Sequence, residues 1–450
     1  SRLKGVETYL GQHLANAQAS AARGIRPPLF VYDFVIEGAG NVINGYPFEG
    51  VGPESPSPLY DDFSHKVEAL VTNGTISEDE ADDLKFRARG ALLDHVYPTY
   101  FELIQWVYED KANATTDDGA WKHEDGSTYY NDRLNLMTTT NMTSDAIHQI
   151  GLAEVARIHD EMRAIMQQVG FQGSLQDFFE FTRTDAQFFK PNTAQGKSEY
   201  LAEATAMIDT MREALPSVFN TFPKAEMEVK AVEPFREKAA GKAFYQRPAP
   251  DGSRPGVYYA NLYRMQDMPV YQMEALAYHE GIPGHHMQLA ISQELSGIPK
   301  FRKYGGYTAY TEGWGLYSEY LPKEMGFYED PYSDFGRLAM ELWRAARLVV
   351  DTGLHEKQWT REEAINYLLE NTPNPEGDCR KAIERYIVMP GQATAYKIGM
   401  MKILDLRDDA RARLGDAFDI RDFHDVVLKD GPVPLEILEE NVEAWISAQL

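Results

Sequence analysis

Three histidines fall within eight residues, in the run His279-Glu280-Gly281-Ile282-Pro283-Gly284-His285-His286. Two imidazoles one helical turn apart chelate a single ion, and a glutamate beside the first takes a proton from the water that the ion activates; this is the chemistry of the His-Glu-x-x-His zinc hydrolases. Here the spacing is longer, and position 283 is proline. On an uninterrupted helix a seven-residue step keeps the face but adds about 10 Å of rise, too far for two nitrogens that must each lie ~2.0–2.1 Å from one zinc. Pro283-Gly284 is the element able to shorten the gap, because proline removes a helical N–H and glycine tolerates unusual dihedrals. The expectation is a two-residue bulge that brings His285 to the second ligand position, with His286 in reserve as ligand, transition-state donor or packed helix histidine. His279 is the first ligand and Glu280 the general base.

A carboxylate from a second helix would complete a His₂Glu zinc site, and Thr311-Glu312-Gly313-Trp314-Gly315-Leu316-Tyr317-Ser318-Glu319 offers two. The second of them, Glu319, also suits an outer position that holds an imidazole N–H. Arg347, Asp351 and His355 step by four and share a helix face. They form either an ion-pair ladder or a functional face, in which Arg347 clamps a substrate carboxylate and His355 donates to an oxyanion. A second Pro-Gly break, Pro390-Gly391, lies between Tyr386 and the pair Tyr396 and Lys397, which joins the substrate-facing candidates. His13, His65, His95, His123 and His148 have no partner spacing and are expected to be structural.

The Thr311–Glu319 segment resembles the Asn-Glu-Gly-Phe-Ala-x-Tyr-x-Glu segment of gluzincin aminopeptidases, and that resemblance implies Glu312 as the third ligand. It also implies a phenol aimed at the tetrahedral intermediate, for which Tyr396 is the catalytic candidate and Tyr386 the substrate-binding one. More widely, HEGIPGHHMQ, EGWGLYSEY, RLVVDTGLH, PGQATAYKIG and LRDDARARLGDAFDIRDFHDVVL resemble blocks of the bacterial domain-of-unknown-function 885 family, from about Gly24 to the C-terminus. The resemblance implies a gluzincin-like metallopeptidase of two-lobed zincin architecture. It leaves room for a longer product, since members often carry a further N-terminal segment, sometimes with a lipoprotein leader. Physiological substrates are mostly undefined in that family, so fold and metal site transfer better than substrate.

The elements that must position these residues read as mainly α. After Thr143-Ser144-Asp145, the residues Ile147, Gly151, Val155, Ile158, Met162, Ile165 and Val169 recur at steps of three and four until Gly170. Similar periodicity runs through 200–215, 334–354, 360–370 with a Thr360/Glu363 capping box, 379–388, 392–414 and 434–447. Strand signals concentrate between about 225 and 265, with alternation at 226–232, a Pro250-Asp251-Gly252 turn and an aromatic run at 256–263, which predicts a small antiparallel sheet just before the histidines. Two lobes of one catalytic unit are expected, a helical lobe 1–190 and a metal-binding lobe 191–450.

Composition limits the function classes. The 450 residues hold 44 Lys plus Arg against 69 Asp plus Glu, a net charge of −25 that repels nucleic-acid phosphates, so no nucleic-acid partner is expected. Cys379 is the single cysteine, which excludes an intrachain disulfide and a multi-thiolate zinc knot, and leaves histidine and carboxylate as metal ligands. No stretch approaches the ~20 apolar residues of a membrane span. The protein is expected in the cytoplasm, or outside it if a leader has been removed; three Asn-x-Thr sequons carry little weight, and the oligomeric state is open. No Gly-x-Ser-x-Gly elbow supports serine hydrolysis. The expected function is a Zn²⁺-dependent hydrolase acting as a carboxypeptidase or oligopeptidase on short peptides. The alternatives are a metal-dependent amidase or esterase and a non-catalytic binding protein on the same scaffold.

Overall fold

A computed structural model describes residues 2–234, 236–237 and 240–450. The chain divides into two compact units, Ser1–Asp118 and Gly119–Leu450. The first is built on the helices Arg2–Ala22, Leu29–Val42, Pro58–Thr72, Glu78–Ala91 and Tyr97–Asp110. Within it Asp110 accepts from the Arg26 guanidinium at 2.9–3.0 Å and from the Tyr32 hydroxyl at 2.7 Å, tying the last helix to the second and to the turn before it.

The second unit carries every residue singled out for chemistry. Its periodic helix, Ser144–Gln168, starts where expected because the Thr143 hydroxyl accepts from Ala146 N–H, and it buries the Ile147–Ile165 stripe. That stripe packs along the helix Pro331–His355, termed here the arginine helix. The approach is close at Gly151, where a Cβ would stand 2.8 Å from Leu348 Cβ and Val349 Cγ2. Residues 119–190 therefore belong with the site-bearing core, and the boundary falls at 118/119, not near 190. Helical periodicity shows that a face is buried but does not say against which partner. The Thr360/Glu363 capping box is present at the start of Arg361–Asn371.

The sheet is mixed, a correction to the antiparallel sheet read from the sequence. β1 (Met227–Ala231) runs parallel to β3 (Gly256–Ala260), whereas β2 (Ala243–Gln246) runs antiparallel to it, giving the order β1-β3-β2. The 249–254 turn closes a β2–β3 hairpin on one edge of β3, so β1 must take the other edge and arrives in the same direction as β3. Buried on both faces, β3 reads as a continuous apolar and aromatic run; the edge strand β1 alternates.

Candidate metal centre

The first histidine helix, Met273–Glu280, stops directly after Glu280, and a second one, His285–Glu294, starts at His285. The expected bulge inside one helix is instead a complete break. Gly281 and Gly284 adopt ψ values of −120° and −130°, Ile282–Pro283 is a cis peptide, and His286 N–H reaches back to Gly281 O at 3.0 Å. A Cβ on Gly284 would meet His279 O at 2.0 Å, so only glycine fits this reversal. Trp314 Nε1–H donates to Pro283 O at 2.9 Å and pins the turn from the neighbouring helix. Breaking the helix discards its rise: the rings of His279 and His285 lie 4.6 Å apart.

Glu312 approaches from the glutamate helix, Thr308–Glu324. Its Oε2 is 3.4 Å from His285 Nε2 and 4.0 Å from His279 Nε2, and one ligand atom of each residue lies within 4.8 Å of the other two. Donors of a tetrahedral zinc with bonds of ~2.0–2.1 Å stand about 3.3 Å apart, so two nitrogens and a carboxylate oxygen of these kinds fit a divalent ion after small side-chain adjustments. The local electrostatics favour a metal at Glu312 and His279, whereas His285 must give up a proton to bind one. Burial works against the charge on Glu312, but its contact with His285 wins and holds the carboxyl down at about 2, while the same contact raises His285. Burial drives His279 the other way, toward the neutral form that binds metal.

Glu319, about two helical turns beyond Glu312, stands with Oε1 2.7 Å from His279 Nδ1, a close contact without hydrogen-bond alignment, and 3.4 Å from Arg344 Nη2. This is the outer-carboxylate position expected for it. Gly315, between the two glutamates, leaves no room beside the ligand: a Cβ there would be 2.7 Å from His279 Cε1. Gly315→Ala is therefore expected to weaken zinc binding roughly tenfold to a hundredfold, as outer-shell changes do, in a competition titration against a chelator.

Glu280 is buried, its Oε2 has no hydrogen-bond partner, and burial pushes its carboxyl up to about 7. With His279 it lines a cavity of about 430 Å³, whose wall includes Trp343, Arg344 and Arg347 of the arginine helix and Tyr396. Arg347 lies 4.5 Å over the Tyr396 ring and 5.7 Å from that of Tyr386, whose hydroxyl is buried without a hydrogen-bond partner.

Three other candidates are placed elsewhere. His286 donates through Nε2 to Ala225 O at 3.1 Å, so its Nδ1 accepts from the Tyr245 hydroxyl at 2.8 Å; both nitrogens bind the second histidine helix to the sheet region. His355 donates through Nε2 to Tyr386 O at 3.0 Å and accepts from Ala120 N–H at 3.1 Å, with burial holding it down to about 4. No Arg347–Asp351–His355 ladder forms, since Asp351 accepts instead from Tyr130 at 2.6 Å and Gly391 N–H at 3.0 Å. Lys397, 1% exposed, is paired with Glu341 at 2.6 Å and Glu154 at 2.8 Å. These two carboxylates hold it, and it is not among the residues that line the cavity beside Arg347 and Tyr396. Lys397→Ala leaves the buried Glu341 and the half-buried Glu154 one partner short, with Arg157 still beside both and Arg337 beside Glu341, and is expected to cost about 1–3 kcal/mol in denaturant unfolding, with metal content unchanged in the folded fraction. Arg344 escaped the sequence reading because a single arginine carries no spacing signal; its position three residues before Arg347 was the available clue.

The chain matches, over residues 1–442, the family described as "Bacterial protein of unknown function (DUF885)", and it belongs to that family. Its fold is shared with two solved structures. One, "the putative lipoprotein from Colwellia psychrerythraea", is 36% identical with a TM-score of 0.93, covering 99% of this chain and 75% of that one. The other, "a putative lipoprotein of unknown function from Shewanella oneidensis", is 18% identical with a TM-score of 0.69, covering 98% and 76%, and speaks to the fold alone. No curated protein matches the chain. No helix among the described residues is long and apolar enough to cross a membrane.

Proposed function

We propose that this protein is a zinc-dependent hydrolase that cleaves short peptides, a gluzincin-like enzyme whose histidine helix has been broken by Pro283-Gly284. The observation that carries the reading is the convergence of His279, His285 and Glu312 beside an unpartnered, buried Glu280 at a cavity wall. When bound, the ion supplies a Lewis acid that polarises a carbonyl and acidifies water. Glu280, in its carboxylate form, takes the proton of the attacking water, and the stronger proton affinity that burial gives it lets it carry that proton to the leaving amine. Glu319 stands against the His279 ring with Arg344 behind it, and a cavity of about 430 Å³ suits small substrates. The description of the Colwellia relative as a lipoprotein supports an exported setting. Elemental analysis of the purified protein joined to digestion of a peptide library tests the reading: one zinc per chain with peptide cleavage supports it, and zinc-free protein or zinc protein that cleaves no peptide refutes it.

A further inference from the structure

We propose that the arginine-helix wall of the cavity is an anion seat, in which Arg344 and Arg347 hold the free C-terminal carboxylate of a peptide. The enzyme then works at the carboxyl end of its substrates. The exopeptidase part rests on the hydrolase reading above; the seat itself does not.

Arg347 is only 9% exposed, yet its Nε and Nη1 have no hydrogen-bond partner; Arg344 is engaged by Met340 O at 3.1 Å and by Glu319 at 3.4 Å but keeps an unpaired Nε. Buried charged donors are costly to leave unpaired, so such a pair of guanidinium groups at a cavity wall points to a ligand that supplies acceptors. The Tyr396, Tyr386 and Trp343 rings lie 4.5, 5.7 and 6.0 Å from the Arg347 guanidinium and the two phenols bear on its charge, but none of them supplies an anion. The two arginines are three residues apart on one helix and thus face the same way. They share the cavity with His279 and Glu280, so an anion held there lies beside the reacting centre.

The surrounding charges favour the same ligand. Lys242, Lys381 and Arg385 also line the cavity, against a chain that is strongly acidic overall. Of the cavity's acidic residues, Glu237, Asp267, Glu280 and Asp378, the two aspartates act on Lys242, whereas the carboxylates that Arg347 acts on are Glu312, one of the candidate metal ligands, and Glu319. A planar guanidinium matches a carboxylate bidentately. An acidic side chain offers the same group, so the test must separate the two sources.

The test is calorimetric binding to Glu280→Gln protein, which spares the ligand, both metal-free and with added zinc, using N-acetyl-Ala-Ala-Ala, its C-terminal amide and N-acetyl-Ala-Ala-Glu-amide. The free acid is expected to bind roughly tenfold to a hundredfold tighter than either amide. Arg347→Ala, or Arg344→Ala if the first does not fold, should shrink that gap to less than about threefold at equal zinc content. Equal binding of acid and amides, or a gap that survives in both arginine variants, overturns the seat. Glu-amide binding as tight as the free acid overturns its assignment to the chain terminus. Wild-type enzyme that cleaves acids and amides alike ends the seat and leaves the hydrolase standing; acid-selective binding without any turnover does the reverse.

Discussion

Replacing Glu280 by Gln is expected to leave zinc bound and to reduce peptide turnover by roughly a hundredfold to ten-thousandfold, the range over which a positioned general base acts. The substitution keeps shape and volume but removes the proton acceptor. Glu280 is well suited to being isolated in this way, because its Oε2 has no hydrogen-bond partner and the side chain is not among the three converging ligand groups. Burial holds its carboxyl up at about 7, near the pH at which a base both accepts and releases a proton. Steady-state kinetics on any peptide cleaved by the wild type, together with metal analysis of both proteins, checks the prediction. A Glu280→Gln protein that retains zinc and a near-wild-type rate removes Glu280 from the chemistry, whereas loss of zinc would make it part of the metal site.

The second large effect concerns metal and stability together. A ligand that binds only the folded state adds RT ln(1 + [L]/Kd), about 4 kcal/mol when free zinc exceeds Kd a thousandfold. Thermal or denaturant unfolding of the wild type should therefore shift with zinc and revert on chelation. His279→Ala and His285→Ala should abolish the shift, because each removes one of the three converging groups. His286→Ala should keep it, because the His286 nitrogens are held by Tyr245 and Ala225 O. Its cost should instead appear in the zinc-free protein, where the Ala225 carbonyl and the Tyr245 hydroxyl lose a partner, about 1–3 kcal/mol for a buried polar group left unmade. A zinc shift lost in His286→Ala and kept in His285→Ala would reverse the ligand assignment.

How far the sequence goes differs between elements. The Thr143 and Thr360 caps, the Ser144–Gln168 stripe and the 249–254 turn were legible, since each depends on residues only a few positions apart. His279, Glu280 and His285 were legible from their clustering, with histidine and carboxylate the available ligands when Cys379 is the single cysteine, whereas Glu312 is singled out from Glu319 by the resemblance of its segment to that of the gluzincin aminopeptidases. Glu319, the other carboxylate of that segment, suits an imidazole N–H by its position, and it stands 2.7 Å from His279 Nδ1.

What only the tertiary structure decided depends on which faces meet. His286 follows His285 directly, and nothing in its spacing tells that it turns to Tyr245 while its neighbour turns to Glu312; a break that resets helix phase at His285 settles it. Arg347, Asp351 and His355 share a helix face in sequence, but that face is crossed by different neighbours along its length, the cavity at Arg347, Tyr130 at Asp351 and Ala120 at His355. Lys397 reads as a free cation until the arginine helix and the Ser144–Gln168 helix bring Glu341 and Glu154 to it from positions far away in the chain. The direction of β1 and the boundary at 118/119 are of the same kind. Periodicity encodes how much of a side chain is buried; the identity of its partner is set by long-range packing, which local spacing cannot carry.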